Sequence, residues 1–205
     1  IDVSLVGSEM CIRDSSTPQI ASIVMELRPE DQADVLQAFE PDEMEAVLAT
    51  LPADEAEEVR TLISYADDTA GGLMSTAMLS YDEDVKVGAV VHDLTMRQLA
   101  GEATQETYVY VLSRFGKLVG VLDFRELAIA KDETLLGDVS HRPFSVDPDA
   151  SLETLDDFFD RHEFLAVPVV DDRQQLIGIV RRDALREALV ERAEPWVVER
   201  RFKGI

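Results

Sequence analysis

One pattern in this chain leaves little freedom to the fold: a run of strand, turn, strand and helix that occurs twice. The first copy is "YVYVLSRFGKLVGVLDFREL", residues 108–127, and the second is "FLAVPVVDDRQQLIGIVRRDAL", residues 164–185. Each opens with a β-branched and aromatic run, turns through polar residues, runs apolar again, and passes into a helical pattern. Gly120 and Gly178 hold the same place, 58 residues apart. Upstream, Ser80-Tyr81-Asp82 matches Ser145-Val146-Asp147 at a spacing of 65, and each is followed by a helical stretch. The difference of seven falls in the longer passage from Leu99 to Glu106. The pattern predicts an α+β fold containing two successive βαββα units.

Short acidic helices precede the repeat. "PEDQADVLQAF", "PDEMEAVLATL" and "PADEAEEVRTLI" begin at Pro29, Pro41 and Pro52, and a weaker unit begins at Pro18. The three stronger units place acids after their prolines and apolar residues at helical spacing, such as Ala33, Leu36 and Phe39. A proline at the first helical position forfeits no hydrogen bond, and acids in the first turn suit the helix dipole. Such short units cannot bury their apolar faces singly, so an array is expected in which neighbours supply the core.

Charge narrows the function. Forty-two acids face 19 lysines and arginines, a formal charge of -23. That disfavours nucleic acid or an anionic membrane surface as partner. Between Glu30 and Glu83 the only base is Arg60. A divalent cation would neutralise such a stretch, since carboxylate oxygens are what Mg²⁺ and Ca²⁺ prefer; a solvated acidic surface is the plainer alternative. The single cysteine, Cys11, permits no internal disulfide and no thiolate metal site. The longest strongly apolar run, Phe164 to Val170, is far short of the ~20 residues a membrane helix needs. The histidines lack ligand spacing, and no nucleophile–base pair or phosphate loop is visible, so an enzyme is not expected.

Where the acidic helices meet the repeat stands "YADDTAGGLM", Tyr65 to Met74, whose Gly71-Gly72 pair is expected to supply a flexible break. Together, the paired strand–helix units, the acidic helical repeats and this junction resemble the cytosolic part of the MgtE family of magnesium transporters. The resemblance implies an N-terminal helical superhelix followed by a tandem CBS pair, a Bateman module. It divides the chain into a lead-in at 1–16 that is either artefact or a flexible segment, helical repeats at 17–66, a first CBS unit at 67–136, a second at 137–192, and a tail at 193–205. The tail, with Trp196 and Phe202, either leads toward a membrane pore or frays.

The same resemblance implies a function. Mg²⁺ would bridge acidic faces, close the domains on one another and govern a pore, at the cytoplasmic side of the membrane. CBS pairs of this kind are expected to form homodimers through their helices. Carried over position by position, the metal residues would be Asp67, Asp68, Gly72 (through its carbonyl), Glu153, Asp160, Glu163 and Glu187. Ser151 stands where an acid is expected, and Ala184 where a second Asp is. The alternative is a stand-alone CBS module that binds ATP or AMP. Asp183 of the second copy would hold a ribose, and Arg181 and Arg182 would either meet phosphates or pair with surface acids. In the first copy Asp123 would repel phosphate.

Overall fold

The computed structural model describes residues 17–101 and 106–193. The lead-in, Cys11, Trp196 and Phe202 lie outside them. Four short helices come first: α1 (Thr17–Val24), α2 (Pro29–Gln37), α3 (Pro41–Leu48) and α4 (Ala53–Ile63). Prolines open α2 and α3, and acids fill the first turns of α2, α3 and α4. Pro52 stands one position earlier than its counterparts: its extended ψ of 146° makes it the cap of α4, whose first turn begins at Ala53.

Each helix packs on the next but one, α1 on α3 and α2 on α4. That interleaving encloses Leu36, Val47, Leu48, Val59 and Leu62. Gln32 is wholly buried there, and its side-chain amide donates to the Leu27 carbonyl at 3.0 Å and to Glu55 at 2.6 Å. A buried amide with no partner would be costly, so this one fixes how α2 meets α4.

The junction forms a short helix, α5 (Ala70–Leu73). The expectation that Gly71 and Gly72 supply a flexible break is corrected. Neither has a positive φ. A Cβ on Gly71 would lie 2.5 Å from the Tyr65 ring, and one on Gly72 would lie 2.3 Å from the Ala66 carbonyl oxygen. These glycines permit close packing rather than motion.

The first CBS unit is β1 (Leu79–Asp82), α6 (Val87–Leu99), β2 (Tyr108–Leu112), β3 (Leu118–Asp123) and α7 (Phe124–Ile129). β1 runs parallel to β2, and β3 returns antiparallel. After the short α8 (Leu136–Val139), the second unit repeats the order with α9 (Leu152–Arg161), β4 (Ala166–Val170), β5 (Leu176–Arg181) and α10 (Arg182–Ala193). Here the leading strand shrinks to one parallel bridge, Val146 to Val169. The repeated glycines have one physical reason. A side chain on Gly120 would strike Ser140, and one on Gly178 would strike Met74, because an incoming segment crosses each strand at that point.

Two cores result. Val87, Val90, Val109, Val111, Leu122, Leu127 and Leu136 fill the first CBS unit. The second core is continuous from the helical domain, through Ala70 and Met74, to Leu152, Leu155, Phe159, Val167, Val180 and Leu185. The helical domain therefore shares its interior with the second CBS unit, although the first lies between them in sequence.

Candidate functional site

The junction is bonded to the turn before α9. Ala70 N–H donates to the Ala150 carbonyl and Gly71 N–H to that of Pro148, each at 2.8 Å, and Thr69 bridges Ser151. Thr69 also caps α5, its hydroxyl donating to the Ala66 carbonyl at 2.7 Å and accepting from Gly72 N–H at 3.4 Å. Asp67 and Asp68 are exposed in the tight turn just before it. Burial raises the Tyr65 phenol above its ordinary pKa, and the nearby charges of Asp149, Asp171 and Asp147 raise it further.

Glu153 sits in the first turn of α9, with its carboxylate 3.1 Å from Arg192 of α10. Its own backbone N–H, the Ser151 side chain and the Arg192 charge hold it below the usual carboxylate range. Asp160 is exposed farther along α9, and Glu187 is exposed on α10. Glu163 follows α9 and borders a cleft described below. The metal residues expected from sequence thus occupy the junction, two helix surfaces and a cleft mouth. Among the described residues no group of three or more His, Cys, Asp or Glu side chains converges on one point. This donor set does not make a cage. It suits only a hydrated cation held by one or two carboxylates, which is how Mg²⁺ prefers to bind.

A cleft of about 420 Å³ opens between the two CBS units. Tyr108 and Tyr110 of β2 form one wall and Ala166, Val167 and Pro168 of β4 the other. The Tyr108 hydroxyl accepts from Leu165 N–H at 3.3 Å and so ties the walls together. At the mouth stand Phe144, Phe158 and Phe164. His162 packs among these rings, 4.8 Å from Phe144 and from Phe158, and stacked on Phe164 at 5.4 Å and 17°. Flat aromatic faces beside guanidinium groups suit a planar heteroaromatic ligand that carries negative charge.

The polar floor is the turn from β3 into α7. Asp123 accepts from Glu126 N–H at 2.8 Å and pairs with Arg125 at 2.8 Å, while Glu126 reaches back to Asp123 N–H at 2.9 Å. These contacts hold Asp123 below its usual pKa, the Glu126 N–H first among them. They also absorb its charge, which the sequence reading had counted against an anionic ligand at this end. Arg125 and Arg142 line the cleft, and His141 lies 2.7 Å from Glu126.

Asp183 is not among the cleft-lining residues. It is exposed at the start of α10, accepting from Ala184 N–H at 3.0 Å, with Arg181 at 3.7 Å. Arg182 meets neither of its expected partners: it donates to the Phe159 and His162 carbonyls, closing the end of α9, and packs over the Phe159 ring. Sequence reasoning missed Phe144, Phe158, His162, Phe164, Arg125 and Arg142. For Phe158, His162 and Phe164 the signal was the aromatic density of residues 158–164, where three of seven positions are Phe.

The family model described as the MgtE intracellular N domain matches residues 8–68, and the CBS domain model matches 136–191. Magnesium transporter MgtE of Enterococcus faecalis is 32% identical over 139 residues, 67% of this chain and 30% of that protein. Magnesium transporter MgtE of Thermus thermophilus is 32% identical over 133 residues, 64% of this chain and 29% of that protein. The chain thus spans less than a third of these relatives. In fold it is similar to the soluble part of a magnesium transporter, with TM-score 0.81 and 28% identity over 94% of this chain and 74% of that one. The cytosolic domain of the Mg²⁺ channel MgtE in complex with ATP gives TM-score 0.74 and 28% identity over 89% and 79%. No helix among the described residues is long and apolar enough to cross a membrane. Domain order, sequence and fold agree, and the chain belongs to the MgtE family, corresponding to the cytosolic part of its members.

Proposed function

We propose that this chain is the Mg²⁺-responsive regulatory region of an MgtE-like magnesium transporter, at the cytoplasmic side of the membrane. It acts by binding rather than by catalysis. The observation that carries this reading is the junction: Asp67 and Asp68 are exposed on the turn that leads into α5, and the Ala70 and Gly71 N–H groups of α5 are bonded to the segment that bears Asp147 and Asp149. Like charges on neighbouring segments repel, and a divalent ion reverses that term. Weakly held Mg²⁺ at Asp67, Asp68, the Gly72 carbonyl and the acidic surface of Glu153, Asp160, Glu163 and Glu187 draws the domains together, and its loss loosens them. That motion is passed to a pore domain of the same full-length protein. Exposed Val91, Met96 and Leu99 on α6, with Ile129 on α7, supply an apolar surface for a homodimer of CBS pairs.

Melting followed against MgCl₂, with KCl at matched ionic strength, tests the reading. Screening relieves repulsion in both salts. A rise in Tm with Mg²⁺ well beyond the KCl curve supports specific sites; coincident curves reduce the acids to a solvated surface.

The cleft favours a second role beside the first. Its stacked rings and its two guanidinium groups suit an adenine nucleotide, ATP or AMP, seated at the Asp123 end rather than at Asp183. A relative solved with ATP supports a nucleotide as the ligand; the rings and guanidinium groups alone support the seat. Titration calorimetry with ATP is the direct test.

A further inference from the structure

The repeat makes the space between the CBS units pseudo-symmetric, so the cleft at Asp123 has an equivalent at its other end. Arg181 stands 58 residues on from Asp123, and Ser75 bridges Ile179 as His141 bridges Val121. The first end is open. The helical domain reaches the other. Glu30, in the first turn of α2, accepts a hydrogen bond from the Ser75 hydroxyl at 2.7 Å, and the same oxygen lies 3.2 Å from Arg28. The second Glu30 oxygen is buried. Glu106 stands at the repeat position of Phe164 and feels the charges of Arg181, Glu30, Arg28 and Asp183. Tyr110, fully buried, separates the two ends: it lines the open cleft while its phenol feels the charge of Glu106.

We infer that Glu30 is a tethered ligand of the CBS pair, closing the second end of the cleft and latching the helical domain onto Ser75. The pair then presents one open pocket where the repeat alone would give two. A molecule that enters the second end must first lift the helical domain. The latch uses none of the residues assigned to Mg²⁺, so its failure and the failure of that reading are distinguishable.

Hydrogen exchange read by mass spectrometry, in buffer containing MgCl₂, tests it. Ser75 and Ile179 exchange N–H···O bonds across this end, each at 2.9 Å. In Glu30→Ala, peptides spanning Ser75 and Ile179 are expected to exchange about ten-fold faster, the scale set by losing one hydrogen bond to a charged group. Amides within α2, α3 and α4 should keep their protection. Ser75→Ala, made on the other side of the contact, should reproduce the pattern, and Glu43→Ala on neighbouring α3 should not. Unchanged exchange at Ser75 and Ile179 in both variants overturns the latch. So does a loss of protection throughout α2 in Glu30→Ala while Ser75→Ala is silent, because Glu30 would then support only its own helix.

Discussion

The Glu153 carboxylate and the Arg192 guanidinium lie 3.1 Å apart, so the first turn of α9 is neutralised by the last turn of α10. A residue assigned to bind Mg²⁺ is thereby already paired with a cation of its own chain, and any ion arriving there competes with Arg192. Arg192→Gln should remove that competition. Exposed pairs of this kind contribute between nothing and about 1 kcal/mol. The Mg²⁺ midpoint of the melting titration should therefore fall, by up to about five-fold. A midpoint that stays put would show that Arg192 does not compete for Glu153, and one unmoved by Glu153→Gln as well would show that Glu153 takes no part in the response.

Gly71 is held against Tyr65 so closely that a Cβ would lie 2.5 Å from the ring. The ring cannot withdraw easily, because Tyr65 packs on the core shared by the helical domain and the second CBS unit. Gly71→Ala should destabilise the chain by about 1–3 kcal/mol, the range for overpacking. Urea unfolding is the measurement. An unaffected midpoint would mean that the junction adjusts freely, which would return these glycines to the role of a hinge.

Gly116 and Gln174 occupy the same position in the two hairpin turns, and both have positive φ, 73° and 64°. Glycine adopts that conformation without strain, whereas a side chain there costs roughly 1–2 kcal/mol. Gln174→Gly relieves the strain but frees the unfolded chain, so a net gain of about 0.5–1 kcal/mol is expected. Gly116→Gln should lose a similar amount. Equal stability for all three proteins in urea would rule out backbone strain at the second turn.

Much of this architecture was legible in advance. The repeat fixed the strand order because β-branched runs, polar turns and the two buried glycines coincide at one spacing. Proline followed by acids marked α2 and α3 for the same local reason. What escaped notice depends on neighbours distant in sequence. Nothing in the Gly-Gly pair shows Tyr65 folded back over it, and nothing near Glu30 shows Ser75. Asp123 carries a charge on paper that Arg125 and the start of α7 absorb in the fold. The cleft draws on β2, β3, β4 and the segments flanking α9, so no single stretch contains its pattern.

Glu106 is a carboxylate half withdrawn from water. Burial is the largest influence on it and raises its pKa, with Arg181 opposing and Glu30 adding to the rise. A carboxyl whose folded pKa exceeds its unfolded value near 4.3 holds its proton better in the native state. Its contribution is therefore most favourable below the unfolded pKa and declines as pH rises through the folded pKa. Glu106→Gln should remove this decline and raise Tm by a few degrees at neutral pH, with a smaller gain at pH 4. A Tm that drops at neutral pH would instead mean that the charge is needed, as a partner of Arg181 across the closed end of the cleft.

The aromatic mouth of the open cleft gives the sharpest contrast between its two candidate nucleotide positions. Phe164, Phe158 and Phe144 surround His162 at this end, whereas Asp183 stands apart at the start of α10 with its carboxylate exposed. If an adenine ring stacks here, Phe164→Ala removes one face of the stack. Stacking of a base on an aromatic side chain contributes about 1–3 kcal/mol, so ATP affinity should weaken about five- to hundred-fold. Arg142→Gln should weaken ATP more than adenosine, because its guanidinium would act on phosphate charge. Asp183→Asn should leave both affinities as they were. Calorimetric titration of the three variants with both ligands separates the positions: the opposite result, loss in Asp183→Asn with Phe164→Ala unchanged, would move the nucleotide to the second copy. That would also require Glu30 to leave its seat on Ser75, and the exchange measurement at Ser75 and Ile179 would register its departure as ATP is added.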